Sequence, residues 1–91
     1  MPKLIGTLAD LQSQINYPVA AMQSNIEGRV IVQFIINEKG EVEAPRVIRG
    51  IGGGCDEEAL RVTKLAKFEP GKQRGRNVRV QYSLPFMFML K

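Results

Sequence analysis

The chain has 91 residues, 44% of them hydrophobic and 24% charged, which suits one modest globular core with no room for a second and excludes an intrinsically disordered segment. Thirteen Lys and Arg against nine Asp and Glu leave a formal charge of +4, a bias toward acidic partners such as nucleic acid, anionic lipid or an acidic protein segment. Histidine is absent and cysteine occurs once, so the commonest general base and metal ligand is missing and no internal disulfide can form.

Leu8, Leu11 and Ile15 mark one face of a short helix over Thr7 to Asn16. It closes at Tyr17-Pro18, because the residue before a proline is pushed out of the helical region. Val19 to Met22 offers a further turn, ended by Asn25 and Gly28. Ile26-Glu27-Gly28-Arg29 then raises a question, since the same tetrapeptide is used as an engineered protease site and would, as a scar, be excluded from the reading.

From Arg29 the period becomes two, with Val30, Val32, Phe34 and Ile36 on one side and β-branched residues dominating, which is a strand. Asn37-Glu38-Lys39-Gly40 supplies turn chemistry, and a second strand begins at Glu41-Val42 to make a hairpin. Val42 and Val47 are five apart, so both face the core only if an extra residue is accommodated near Ala44-Pro45, which predicts a β-bulge. Pro45 lacks a donor and suits an edge.

Arg49 to Gly54 reads as a loop, and Cys55-Asp56-Glu57-Glu58 opens a helix with acidic residues in its first turn, where the macrodipole favours them. Its buried stripe is Ala59, Val62, Thr63 and Ala66, with Arg61, Lys64 and Lys67 outside. After a basic loop from Gly71 to Arg76, Val78, Val80, Tyr82, Leu84, Phe86, Phe88 and Leu90 alternate with Arg79, Gln81, Ser83, Pro85, Met87 and Met89. This is the most persistent strand pattern in the chain. The expected fold class is α+β: residues 1–91 as one domain, a two-layer sandwich of a three-stranded antiparallel sheet with two helices packed on one face. A helical crossover after the hairpin brings the last strand beside the first, giving the order 2-1-3 and leaving the second and third strands as edges.

Catalytic and cofactor patterns are weak. The glycine run Gly50-Ile51-Gly52-Gly53-Gly54 lacks the Lys-Ser/Thr of a phosphate loop, carries Cys55 where a dinucleotide fingerprint needs Gly or Ala, and leads into three carboxylates that repel phosphate. A connector is the better reading. Cys55 lacks cationic neighbours and reads as a small buried residue, while Asp56, Glu57 and Glu58 read as helix-end residues rather than an acid–base set. Neither cofactor nor metal is expected. Lys72, Arg74, Arg76 and Arg79 concentrate charge without the interleaved aromatics of a single-strand binder, so a solvated basic face is preferred to nucleic acid. Ile31, Ile35, Met87 and Met89 lie on the sheet's second face, where a covering loop, a partner or a homodimer contact would each account for them. The last strand is an edge that Arg79 and Pro85 block, or that takes an incoming extended segment. Both alternatives stand on physical grounds.

An ordered set of residues resembles a known family. It comprises Tyr17-Pro18 with Ala21, Ile26-Glu27-Gly28 leading into Val30, Val32, Phe34 and Ile36, then Gly40-x-Val42, Val47, Asp56-x-x-Ala59-Leu60 and Phe68-x-Pro70-Gly71. Gly75, Val78-x-Val80 and Pro85-Phe86-x-Phe88-x-Leu90 complete it. From about Leu4 onward this is similar to the C-terminal domain of TonB-type energy transducers. Ile26-Glu27-Gly28 is then the approach to the first strand rather than a scar. Phe68 stands where an aromatic residue, often Trp, precedes the family's Pro-Gly.

The resemblance implies a non-catalytic periplasmic domain of a transducer anchored in the inner membrane. Its partner would be a TonB-dependent outer-membrane receptor, whose TonB box pairs beside the last strand. The residues carried over as contacts are Asn16, Tyr17 and Pro18, together with Arg76, Val78, Arg79, Val80, Gln81, Tyr82, Ser83 and Leu84. The membrane helix and proline-rich spacer of a full transducer are not among these residues, which leads to the expectation of an excised fragment or a standalone domain. The alternative from another class is a structural or dimerisation module that pairs through the same edge.

Overall fold

A computed structural model describes residues 2–90. In chain order the elements are β1 (Lys3–Leu4), α1 (Leu8–Gln12), α2 (Val19–Gln23), β2 (Gly28–Ile36), β3 (Val42–Arg49), α3 (Cys55–Thr63), β4 (Phe68–Glu69), β5 (Gly71–Gln73), β6 (Arg76–Val78) and β7 (Val80–Phe88). Alternation in β2 places Val30, Val32, Phe34 and Ile36 at 1% exposure or less, against α3 and the inner residues of β7. The main sheet is antiparallel with order β3-β2-β7, the expected 2-1-3 arrangement.

The two sides of β2 are paired differently. Toward β7 the register runs without a break from Gly28↔Phe88 to Ile36↔Val80. Toward β3 it shifts twice, between Ile31 and Val32 and between Gln33 and Ile35. The second shift absorbs an extra residue at Ala44-Pro45, where Ala44 takes φ +49, so the bulge lies where the Val42 and Val47 spacing demands it. The turn beyond is held by Asn37, whose Oδ1 accepts from the N–H groups of Lys39 and Glu41 at 2.9 Å each. Gly40 closes it at φ +81, and a Cβ there would lie 1.9 Å from the Phe68 carbonyl oxygen, so only glycine fits.

The helical layer departs from expectation in detail. Two helices were expected over the sheet; the first is cut to five residues and α2 forms as a separate helix after Pro18. Thr7 caps α1 by accepting from the Asp10 N–H (3.0 Å), and the chain leaves the helix through tighter turns at Gln14 and Ile15. Leu11 is buried as the stripe requires, whereas Leu8 is 38% exposed. α3 buries Cys55, Ala59, Val62 and Thr63, the Thr63 hydroxyl donating to the Ala59 carbonyl at 2.7 Å, and among the described residues no buried side-chain nitrogen or oxygen lacks a partner. Such short helices are stable only when docked. Glu58 and Arg61 of α3 anchor the segment between α1 and α2: the Asn16 N–H donates to Glu58 Oε2 (2.6 Å), and Arg61 donates to the Gln14 carbonyl (2.9 Å) and to both Glu58 oxygens (2.7–2.8 Å).

The basic segment expected as a loop is instead a second hairpin, β5 with β6, turned by Arg74 and Gly75. Both take positive φ, the hand that suits a two-residue turn. The final alternation is therefore two strands, interrupted at Arg79. Phe34, Phe68 and Tyr82 form an aromatic cluster beneath the junction, with ring centroids 5.6–6.0 Å apart.

Two outcomes follow from this packing. The Arg29–Val30 bond lies within β2, with Val30 fully buried, so the protease specific for Ile-Glu-Gly-Arg should leave the native domain intact and cut it once unfolded. Rapid cleavage under native conditions would contradict the placement of this strand. The hydrogen bond from Arg61, followed by that from the Asn16 N–H, holds the Glu58 carboxyl below the usual glutamate range in spite of its burial. A depressed folded-state pKa contributes stability that is present above the unfolded value, ~4.3, and is lost as pH falls through the folded one. Chemical denaturation at neutral and acid pH should show Glu58→Gln destabilised at pH 7, with its difference from the parent shrinking below pH ~4. A pH-independent difference would remove this role.

Candidate functional site

β7 has β2 on one side and no strand on the other among the described residues. Its inward residues Leu84, Phe86 and Phe88 are buried, which holds the strand firmly while its outer edge faces solvent. In an antiparallel strand the N–H and C=O of one residue leave together, and successive residues alternate sides. The parity of β7 is set by Met87, whose N–H donates to Gln12 Oε1 (3.2 Å) while its carbonyl accepts from Gln12 Nε2 (2.5 Å). Met87 thus points away from β2, and because the register is continuous so do Pro85, Ser83 and Gln81. Pro85 has no N–H to give, and the outward side is where a strand tolerates it. The unengaged outward groups are then the N–H and C=O of Gln81 and Ser83 and the C=O of Pro85, all on exposed residues.

The residues singled out from the sequence divide into three groups. Val80, Gln81, Tyr82, Ser83 and Leu84 lie together along this edge. Gln81 and Ser83 turn their backbone groups outward; Val80, Tyr82 and Leu84 bond to β2, with the Tyr82 and Leu84 side chains in or against the core and that of Val80 close to Gly71 of β5. Arg76 and Val78 lie instead in β6, opposite Gln73 and Gly71. Arg79 is the junction: its guanidinium donates to Glu43 of β3 at 2.6 Å and lies 3.8 Å from Glu38. The pairing raises the Arg79 pKa, while the Glu43 carboxyl is lowered first by its hydrogen bond from Asn37 and then by Arg79.

Asn16, Tyr17 and Pro18 sit at the opposite end of the strand. The Tyr17 ring meets Phe88 edge-on, with centroids 5.6 Å apart and planes at 84°, and its hydroxyl donates to the Ile26 carbonyl. Burial raises the Tyr17 pKa, with smaller contributions from Cys55 and Glu27. Pro18 precedes α2 and lies against Gly54, and Asn16 is tied to Glu58. These residues are about 26 Å from Val80 by strand rise. Gln12, which does reach the edge, was not singled out; the available signal is its place beside Leu11, on the flank of the apolar stripe of α1.

Other candidates take their structural reading. The Asp56 carboxylate accepts from the Ile51 and Gly52 N–H groups (2.9 and 3.2 Å), so it fills the cradle that a phosphate would need. Cys55 is buried, and desolvation, followed by the Asp56 and Glu57 charges, pushes its thiol pKa up and away from nucleophilicity. Lys72, Arg74 and Arg76 are exposed on the β5–β6 hairpin with no aromatic interleaved. Ile31 and Ile35 are half-buried, and Met87 and Met89 are 42% and 63% exposed, so the second sheet face is open and partly apolar.

Among curated proteins nothing matches the chain. Among solved structures it is similar to the TonB C-terminal domain of Pseudomonas aeruginosa, at 26% identity and a TM-score of 0.72, covering 99% of this chain and 87% of that one. It is also similar to the TonB C-terminal domain of Helicobacter pylori, at 28% identity and a TM-score of 0.69, covering 91% and 88% respectively. The family model described as Gram-negative bacterial TonB protein C-terminal matches residues 13–90. Strand order, the helical layer over one sheet face and this match agree, and the chain belongs to the family of Gram-negative TonB protein C-terminal domains.

Proposed function

We propose that the domain works in the periplasm as the receptor-binding end of a TonB-type energy transducer anchored in the inner membrane. In this reading it captures the TonB box of a TonB-dependent outer-membrane receptor as an added strand on the outer edge of β7, in support of energised uptake. The observation that carries the proposal is the pair of unengaged, outward-facing backbone sets at Gln81 and Ser83 on a strand locked to β2 along its whole length. Main-chain hydrogen bonds along such an edge supply affinity without requiring one receptor sequence. Val80 to Leu84 make the contact in this proposal. Tyr17, held between Asn16 and Pro18, supports the far end of the strand at Phe88, and Arg76, Val78 and Arg79 flank the near end.

The exposure of Met87 and Met89 beside the same edge favours a second reading, in which another copy of the chain pairs there. Sedimentation across a range of protein concentration separates the two, because a strictly monomeric domain removes the homodimer.

Titration of labelled domain with a TonB-box peptide, followed by amide NMR, should shift residues 80–84; no shift there at millimolar peptide would overturn the proposal. Ser83→Pro removes an outward donor that β2 does not use, so it should weaken the peptide about tenfold with the fold retained. An unchanged affinity would move the binding site elsewhere.

A further inference from the structure

The outer edge of β7 is closed at one end by a side chain. Gln12 offers its carboxamide to Met87 as a peptide group would, accepting from the Met87 N–H at 3.2 Å and donating to the Met87 carbonyl at 2.5 Å. A glutamine amide carries one acceptor oxygen and two donor hydrogens, so it can reproduce both ladder bonds of a single residue of an added strand. Two positions before Met87 on the same side is Pro85, which provides a carbonyl and no donor. The outward ladder therefore has complete pairs at Gln81 and Ser83, a half pair at Pro85, and a position already occupied at Met87.

We infer that Gln12 is a register-setting stop for the added strand: its carboxamide completes the ladder at Met87, so that an incoming extended segment pairs with Gln81 and Ser83 and ends at Pro85. The inference rests on the proposed strand addition. The helix that carries Gln12 is fastened for this purpose, with Thr7 capping its start and Leu11 buried beside Gln12. The chain that follows is tied to α3 through Gln14 and Asn16. A segment sliding further toward Phe88 would meet the pyrrolidine ring of Pro85 and would have to displace the amide. The same contact withholds the end of the edge nearest the exposed Met87 and Met89 side chains, where an unguarded strand would be open to nonspecific pairing.

The test has two parts. In the free domain, hydrogen exchange should find the Met87 amide protected although it faces away from β2, with Gln81 and Ser83 exchanging freely. Gln12→Ala should lower the Met87 protection, about fivefold for one lost hydrogen bond, and Gln12→Met should do so while keeping the side chain's length and losing both its acceptor and its donors. With a peptide long enough to cover the whole edge, the parent's NMR footprint should stop at Pro85, and in both variants it should extend to 87–89. A parent footprint already reaching 87–89, or Met87 exchange unchanged by both substitutions, would overturn the inference. Failure of the strand-addition reading looks different: residues 80–84 would not shift in any of the three proteins, while the exchange result for Met87 would be unaffected.

Discussion

The unbroken antiparallel pairing of β2 with β7 is the constraint on which the other features depend. Nine residue pairs from Gly28↔Phe88 to Ile36↔Val80 bring two alternating faces into phase, so Val30, Val32, Phe34 and Ile36 share one interior with Leu84, Phe86 and Phe88. A slip by one residue would turn every one of these side chains to solvent. The helices cover that interior and are too short to persist without it. β2 is paired on both sides and no strand of the described residues lies beyond β7, so β7 is an edge, and the continuity of its register determines which backbone groups face out.

The two edges of the sheet are treated differently. β3 is shifted in register twice, carries Pro45, and holds Ala44 at positive φ, which bends and twists its outer side away from flat pairing. Its neighbouring carboxylates, Glu43 and Glu38, are bound to Arg79. β7 has no bulge and is limited instead by one missing donor and one borrowed amide, at Pro85 and Met87. An edge blunted along its length suits avoidance of aggregation, whereas an edge left regular between two defined limits suits selective pairing.

Much of this was legible in the residues. Period-two alternation identified β2 and β7, the Val42 and Val47 spacing located the bulge, and the order of elements implied the sheet topology, because each reflects burial, which one-dimensional patterns carry. The division at Arg79 was not legible, since Val78 and Val80 continue the same alternation and the interruption coincides with a long-range ion pair to Glu43. The length of α1 was overestimated because the Leu8, Leu11 and Ile15 spacing is helical, yet the segment after Gln12 is held by Glu58 and Arg61 from another helix. Tyr17 was singled out by its motif as a contact, and the structure gives it packing on Phe88 and a hydrogen bond to Ile26. Gln12 left almost no trace in the sequence, because its role depends on a strand that begins far along the chain.

The disparity between the two sides of β7 bears on how the domain would respond to a pull. A segment added at Gln81 and Ser83 is joined by fewer backbone pairs than the nine that join β7 to β2, and it lacks the buried side chains that back the inner seam. In the proposed strand addition, load applied through that segment would be released at the added joint first, with the domain still folded behind it. Such a joint would act as a mechanical fuse: it would yield reversibly at a force below the one that unravels the sheet, and the same edge would be restored, ready for another segment, once the load is gone.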